Sequence, residues 1–285
     1  WTKLLAGSSY DRSYEVSTAN DGSIYITGYS QSNLEGQTNN GGKDIYLTKF
    51  SSDGAKVWTK LLGTSNDDWG LGTSVSSDGA IYITGKTNGE LDGQNNNGDN
   101  DGFLIKYSSD GTKVWTRTLG SSSSDRSWGI STASDGSIYI TGYMGGDLDG
   151  QTNSGYKDVF VSKYSSDGTK LWTKLIGTTA TDVGYGVSPS GDDYIYISGH
   201  TQGNLNGETN SGDLDAFLIK LAAYLASSSL QRGWVQPYAA IQNIGLASIK
   251  NHRDLVLDNA GSCNNYGWII NDTDYCVYSN VKNTI

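Results

Sequence analysis

The sequence contains few of the residues that form recognisable catalytic centres. It has two histidines among 285 residues, His200 and His252, and they lie in different regions of the chain. The patterns HExxH, GxSxG, CxxC and the P-loop do not occur, although each marks a well-understood reaction centre. Serines and aspartates are plentiful, and paired carboxylates support glycoside hydrolysis, but no pair stands out. We therefore expect a protein that is not an enzyme, with a hydrolase as the alternative.

Proline and long apolar segments are also scarce. There are two prolines, and no stretch approaches the roughly 20 apolar residues that cross a bilayer. Turns must therefore be made by other residues. The 38 glycines are nearly double the average usage of about 7%, and Asn, Asp and Ser bond to their own backbone in turns. The chain starts at Trp1 without a signal peptide, which favours a mature or trimmed product.

Basic residues are outnumbered by acidic ones. Twenty Lys and Arg face thirty Asp and Glu, so the formal charge is −10. Such a surface repels phosphate backbones and anionic membranes. We expect no nucleic-acid partner and no membrane insertion. The charge is compatible with an extracellular protein or with one that binds cations.

Cysteine occurs only twice, at Cys263 and Cys276. The even count and the close spacing predict one disulfide, and hence an oxidising compartment. Two unrelated free thiols are the alternative interpretation.

What the chain does contain is a sequence repeat in four copies. Trp1, Trp58, Trp115 and Trp172 are evenly spaced, and each opens a Trp-Thr-Lys/Arg segment. The same step relates three further sets of residues: Gly28, Gly85, Gly142 and Gly199; Asp44, Asp101, Asp158 and Asp215; and Lys49, Lys106, Lys163 and Lys220. A constant internal period of this kind indicates a repeat architecture.

Each copy predicts four short strands. In the first copy these lie around Glu15–Thr18, Ile24–Thr27, Ile45–Phe50 and Lys56–Leu62. Apolar and polar residues alternate along the last three, as in strands with two different faces. An SSDG segment separates the third strand from the fourth, and Asp-Gly between strands is a hairpin signal.

Tandem four-stranded units predict an all-β fold, a β-propeller of four blades of about 57 residues over residues 1–221. A β-solenoid is the rival, but its repeats are usually shorter. Trp1–Leu5 is a fourth strand without a blade before it, and the last copy ends after its third strand. We expect Trp1–Leu5 to complete the last blade and close the ring, which removes two exposed edges. Alternatively, it completes the blade of a neighbouring molecule and builds a filament.

The segments DGSIYITG, GQTN and DIYLTKFSSDGAKVW, with their echoes, resemble the SBBP (β-propeller repeat) family over roughly residues 1–221. The resemblance implies a propeller of the kind found mostly in bacterial exported or surface proteins. The family is expected to form rings of more blades, and four copies depart from that.

Residues 222–285 differ in composition and form a small C-terminal extension. Ala222–Leu230 and Tyr238–Lys250 have the mixed spacing of helices, whereas Leu255–Leu257, Trp268–Ile270 and Cys276–Tyr278 are typical of short strands. We interpret the extension as a cap over the propeller edge or as a docking element. Asn271 opens the one glycosylation sequon.

The long loop of each copy is rich in side-chain oxygens, and calcium is the cofactor that such loops suggest. The candidate ligands are Asp92, Asp147, Asp149 and Asn153. The fourth loop has less charge. The alternative is that these residues form Asx turns.

Two other sets of equivalent residues are candidates for a binding face. The position after the ITG turn varies, and it holds Tyr29, Lys86, Tyr143 and His200. Such groups stack on sugar rings or bind peptides. The alternative is that these positions vary only as ordinary surface residues do. Aspartates recur before the first strand at Asp11, Asp68, Asp125 and Asp182. They form either a ring of carboxylates at a channel mouth or a set of turn caps, and we favour turn caps.

The first functional hypothesis is a secreted or cell-surface scaffold that binds a protein or a glycan. The second is a structural subunit of an extracellular filament made of copies of this chain.

Overall fold

The computed structural model describes residues 1–190 and 193–223, together with three short strands further on. The chain divides into two compact units, Trp1–Leu225 and Ala226–Ile285. The described part of the first unit is built of β-strands, with a single 3₁₀ turn at Leu91–Gly93. The all-β prediction is therefore confirmed.

The strands of the first unit form four antiparallel sheets in chain order. Blade one contains β1 (Asp11–Thr18), β2 (Ile24–Ser30), β3 (Asp44–Phe50) and β4 (Lys56–Leu62). Blade two contains β5 (Asp68–Val75), β6 (Ile81–Thr87), β7 (Asp101–Tyr107) and β8 (Lys113–Leu119). Blade three contains β9 (Arg126–Thr132), β10 (Ile138–Met144), β11 (Asp158–Tyr164) and β12 (Lys170–Ile176). Blade four contains β13 (Asp182–Pro189), β14 (Tyr194–Thr201) and β15 (Asp215–Ala222).

The start of the first strand was the least accurate of the strand predictions, because β1 begins at Asp11 rather than near Glu15. The pairing of β1 with β2 shifts register between Ser13 and Glu15, so Tyr14 is an extra residue in the strand. Such a bulge breaks the alternation of the side chains, which is the signal that locates a strand in the sequence.

The hairpins between third and fourth strands form as predicted. In blade one, Ala55 N donates to Asp53 Oδ1 at 3.3 Å, and Gly54 has a φ of +85°. Glycine adopts this left-handed backbone without steric cost.

The apolar core lies between blades. One cluster joins Tyr25, Ile45 and Leu47 of blade one to Ile81 and Ile83 of blade two. Equivalent clusters join blade two to blade three and blade three to blade four. The first strands β1, β5, β9 and β13 lie side by side. This is the radial arrangement of a β-propeller with four blades, the last of which has three strands.

The first residues of the chain carry no strand. The Trp1 ring lies against Gly54, where an added Cβ would be 2.7 Å from the indole. Trp58 lies in the same way against Gly111, one blade further on. Trp1 therefore occupies the place that the fourth strand of a preceding blade would occupy. That Trp1–Leu5 completes the last blade stays a prediction.

In the second unit, β16 (Leu255–Val256), β17 (Gly267–Trp268) and β18 (Val277–Ser279) form a three-stranded antiparallel sheet in the order β16-β18-β17. They overlap the three strands predicted there. The helices predicted over 222–230 and 238–250 lie outside the described residues, except that Ala222 ends β15 and Ala223 N donates to Asp193 O at 2.8 Å. The predicted disulfide between Cys263 and Cys276 also lies outside them.

Candidate functional site

The four variable positions predicted to bind a ligand occupy one equivalent site in the second strand of each blade. Each is paired with a residue of the neighbouring first strand: Tyr29 with Arg12, Lys86 with Trp69, Tyr143 with Arg126, and His200 with Val183. Because the first strands lie side by side, this register brings residues that are far apart in the sequence to one end of adjacent sheets.

A tryptophan forms the centre of the site. The Trp69 ring centroid lies 5.1 Å from that of Tyr29. Three cations surround the same ring: Lys43 Nζ at 4.9 Å, Lys86 Nζ at 4.6 Å and Arg126 Cζ at 5.5 Å. We call these five residues the Trp69 cluster. They come from blades one, two and three, so only the assembled sheets create it.

The contacts continue into the next blades. Arg126 Cζ lies 5.1 Å from the Trp128 ring and 6.0 Å from the Tyr143 ring. The Trp128 ring lies 5.6 Å from that of Tyr185, which lies 5.4 Å from His200. The contacts therefore run without a break from Tyr29 to His200. With Lys157, whose Nζ lies 4.3 Å from the Tyr143 ring, we call this whole set the aromatic–cationic row.

Burial perturbs the lysine at the centre of the row. Lys86 is 7% exposed, and its Nζ donates to Asn100 Oδ1 at 2.8 Å and to Asn88 Oδ1 at 3.1 Å. Burial, followed by the nearby Arg126, lowers the pKa of Lys86 to about 8. Both effects disfavour its charged form. An anion bound beside Lys86 would therefore interact with a lysine whose pKa is about 8.

Few acceptors balance these donors. Lys43 Nζ pairs with Asp67 Oδ2 at 3.0 Å. Trp69 Nε1, Trp128 Nε1 and Arg126 Nε are buried and have no hydrogen-bond partner within residues 1–190 and 193–223. Unpaired buried donors cost free energy, and their N–H dipoles add positive potential to the row. The row therefore carries four basic side chains, and the carboxylates of Asp67 and Asp68 act on the central one, Lys86.

The candidate calcium ligands lie in two different loops. Asp147 Oδ1 accepts a hydrogen bond from Asn153 N at 2.8 Å in the loop of blade three. Asp149, in the same loop, pairs with Lys170 at 2.6 Å, and Asp92 in the loop of blade two pairs with Lys113. Among the described residues, no three His, Cys, Asp or Glu side chains are grouped so as to hold a metal ion. Calcium in these loops stays a prediction.

The recurring aspartates before the first strands are turn caps, as favoured above. Each accepts a backbone N–H from the residue four positions earlier: Asp11 from Gly7 at 2.6 Å, Asp68 from Thr64 at 2.6 Å, Asp125 from Ser121 at 2.5 Å, and Asp182 from Thr178 at 2.6 Å. One carboxylate oxygen of each is therefore used inside its own loop, while Asp11 Oδ1 and Asp182 Oδ1 are buried without a hydrogen-bond partner among the described residues.

Reasoning from the sequence missed most of the row. It selected Tyr29, Lys86, Tyr143 and His200 but not Trp69 or the other members. A signal was present, because the position of Trp69 also varies between copies, as Arg12, Trp69, Arg126 and Val183.

Residues 57–92 match the model of the SBBP β-propeller repeat family. This match confirms the resemblance within that part of the repeat region.

Two curated proteins are similar to parts of the chain. "Regulatory protein FlaEY" of Caulobacter vibrioides is 28% identical over 186 residues, which cover 58% of this chain and 20% of that protein. "Uncharacterized WD repeat-containing protein L264" of Acanthamoeba polyphaga mimivirus is 21% identical over 261 residues, covering 72% of this chain and 19% of that protein. The chain thus spans about a fifth of the length of each relative. Within the described residues, no helix is long and apolar enough to span a membrane.

Proposed function

We propose that this chain is a non-catalytic binding scaffold of the cell surface or the extracellular space, and that its aromatic–cationic row binds an anionic glycan. The observation that carries the proposal is the Trp69 cluster, in which three cations surround one indole ring. The row varies between repeats while the framework glycines and aspartates recur. A constant scaffold thus presents a variable set of binding groups.

The charge of the row favours an anionic ligand. Lys43, Lys86, Arg126 and Lys157 lie along it, and Asp67 pairs with the first of them. Like charges this close repel one another, and Arg126 contributes to the lowered pKa of Lys86. A carboxylate or sulfate placed among them would relieve that repulsion and form charge-assisted hydrogen bonds.

The aromatic rings favour a sugar as the carrier of that anion. Trp69, Trp128 and Tyr185 provide ring surfaces between the cations, and Tyr185 is exposed. Aromatic rings bind the apolar faces of sugars, while neighbouring polar groups fix their orientation. An acidic polysaccharide supplies both the apolar faces and the charges at regular intervals.

Other observations support a scaffold outside the cell. The names of the two relatives, a regulatory protein and a WD repeat-containing protein, describe no reaction. The acidic composition and the cysteine pair predicted to form a disulfide support the extracellular location.

The proposal is tested by titrating the purified chain with fluorescent heparin, polygalacturonate and neutral dextran. We expect binding to the two acidic polymers that weakens as salt is added, because ions screen exposed charges. Dextran should not bind. Equal binding to dextran, or binding to none of the polymers, would overturn the proposal, and binding only to an acidic peptide would identify a protein partner instead.

Replacing Arg126 by glutamine is expected to weaken binding of the acidic polymer roughly tenfold, equivalent to about 1.4 kcal/mol. The change removes one cation from Trp69, Trp128 and Tyr143 together. The matched control is Arg117→Gln, since Arg117 lies on β8 outside the row and donates to Gly168 O at 3.0 Å. Affinity is measured by fluorescence anisotropy. If both variants lose the same affinity, the row is not the binding site.

A further inference from the structure

Blades one and three have the same four kinds of side chain at equivalent positions of the site, whereas blades two and four do not. We call the set in blade one the blade-one module: Arg12, Tyr14, Tyr29 and Lys43. The equivalent set is the blade-three module: Arg126, Trp128, Tyr143 and Lys157. The same positions hold Trp69, Leu71, Lys86 and Asn100 in blade two, and Val183, Tyr185, His200 and Leu214 in blade four. Only blades one and three thus combine an arginine, an aromatic ring, a tyrosine and a lysine.

In the blade-one module, each cation lies beside an aromatic ring. Arg12 Cζ is 4.9 Å from the centroid of the Tyr14 ring, and Lys43 Nζ is 5.4 Å from that of Tyr29. The centroids of the two tyrosine rings are 6.1 Å apart. Cations at these distances are attracted to the faces of the rings. The module therefore places two positive charges and two ring surfaces close together.

The blade-three module makes the same two pairs. Arg126 Cζ lies 5.1 Å from the Trp128 ring, and Lys157 Nζ lies 4.3 Å from the Tyr143 ring. Arg126 also lies 6.0 Å from the Tyr143 ring, which joins the two pairs into one group. The two modules are thus similar in their contacts as well as in their residue types.

A β-bulge in the first strand places the aromatic residue of each module. Tyr14 is the extra residue in β1, and Trp128 is the extra residue in β9. Bulges of this kind redirect a side chain. The bulge brings the Arg126 carbonyl oxygen so close to Gly142 that an added Cβ would lie 1.9 Å from it, so only glycine fits there. All four first strands have the bulge, so the side chains alone distinguish the modules from the other two blades.

Trp69 of blade two connects the modules. Its ring is stacked on that of Tyr14, with centroids 6.2 Å apart and an angle of 18° between the planes. On the other side, Arg126 Cζ lies 5.5 Å from the Trp69 ring. Tyr14, Trp69 and Trp128 are all half-buried, so part of each ring is accessible. The steps between neighbouring groups are comparable to the length of one sugar unit in a polymer.

The two modules differ in how far their charge is neutralised. Lys43 Nζ pairs with Asp67 Oδ2 at 3.0 Å, but the position equivalent to Asp67 beside the blade-three module is Thr181. Within residues 1–190 and 193–223, neither Arg126 nor Lys157 forms an ion pair. The blade-three module should therefore attract an anion more strongly.

We propose that the two modules are two subsites for acidic units of one oligosaccharide, with the blade-three module as the stronger subsite and Trp69 contacting the sugar between them. The inference rests on the proposed binding of an anionic glycan. When one ligand joins two weak contacts, the first contact raises the effective concentration of the second acidic unit at its own subsite. The ligand class is therefore an oligosaccharide with two or more acidic sugars, rather than a single sugar acid.

The length of the ligand provides the first test. The full chain is titrated by isothermal titration calorimetry with galacturonate and with oligogalacturonates of increasing length. Galacturonate is expected to bind weakly, and affinity should rise roughly tenfold or more once an oligomer is long enough to reach both modules. One long oligomer should then bind per chain, and a neutral glucose oligomer of equal length should not bind. An affinity that does not depend on length would overturn the proposal.

Two arginine variants separate the subsites. Arg12→Gln should weaken binding of the long oligomer roughly tenfold and leave galacturonate unaffected, because the single sugar acid occupies the blade-three module. Arg126→Gln should weaken binding of both ligands. Arg117→Gln, on β8 outside both modules, is the control and should change neither. Circular dichroism verifies that each variant has folded.

The outcomes distinguish this inference from the proposed function. If Arg126→Gln weakens binding of the long oligomer but Arg12→Gln does not, the second subsite is wrong while the glycan site remains. If Arg12→Gln weakens binding of galacturonate and of the long oligomer equally, the modules are not separate subsites. If no acidic oligomer or polymer binds the wild-type chain, the proposed function itself is wrong.

Discussion

Gly85→Ala is expected to lower the free energy of unfolding by about 2–3 kcal/mol. An added Cβ would lie 1.8 Å from the Trp69 carbonyl oxygen and 2.8 Å from the Phe103 ring. The carbonyl belongs to the strand opposite, close to the bulge between Gly70 and Gly72. It cannot move away without disturbing the pairing of β5 with β6.

The same substitution should also reduce binding of an acidic polymer, because Gly85 immediately precedes Lys86 and lies beside the backbone of Trp69. Unfolding is followed in urea by circular dichroism. Gly212→Ala is the control, since nothing lies within 4 Å of an added Cβ there and its φ is not left-handed. If the two variants unfold at the same urea concentration, the close approach of the strands at this glycine is not structurally important.

Stability is expected to be greatest at mildly acidic pH. Burial, and then the neighbouring carboxylates of the next blade, raise the pKa of Asp44 and of Asp101 to about 6. A carboxyl whose pKa is raised on folding binds its proton more tightly in the folded state. It therefore contributes stability below its ordinary pKa, and that contribution is lost as the pH rises through about 6.

The exposed turns act in the opposite direction. Hydrogen bonds from Ser108 and Thr112 lower the pKa of Asp110 to about 2, and Ser51 lowers that of Asp53 in the same way. Their contribution is present above the ordinary aspartate pKa and is lost as the pH falls through the lowered value. Together the two groups predict that stability is greatest near about pH 4 and falls as the pH rises to about 6 and beyond.

Urea unfolding at pH 5 and at pH 7.5 measures the effect. The free energy of unfolding should be lower at pH 7.5, by on the order of 1 kcal/mol for each of Asp44 and Asp101, because one pKa unit corresponds to about 1.4 kcal/mol. Asp101→Asn should flatten this dependence, since the buried carboxyl of Asp101 no longer ionises opposite Asp125. Asp99→Asn, at an exposed position two residues away, should leave it unchanged. A stability that rises from pH 5 to pH 7.5 would contradict the account.

The blades were predictable because their signals are local. Alternation along Ile24–Thr27 and Ile45–Phe50 reflects two faces of one strand, and the Asp-Gly turn at Asp53 needs only its own neighbours. The extent of β1 was not predictable in this way, because the bulge at Tyr14 exists only through pairing with β2.

The sequence identified some residues of the candidate site, and the structure identified the others. Variation after the ITG turn singled out Tyr29, Lys86, Tyr143 and His200. It did not select Trp69 or Arg126, because a variable residue in a first strand has the same appearance whether it faces solvent or a neighbouring blade. The register of β5 with β6 and the packing of β9 beside β5 bring Lys86 and Arg126 to one indole ring.

By itself, the sequence determined the all-β repeat unit, its four copies and the turn chemistry that joins their strands. The constant repeat interval and the alternation of apolar with polar residues are properties of the chain in one dimension. The tertiary structure decided which variable residues meet. Lys43 and Arg126 belong to different copies of the repeat. They share one tryptophan ring only because the packing of blades one, two and three brings the start of β3 and the start of β9 to Trp69 of β5.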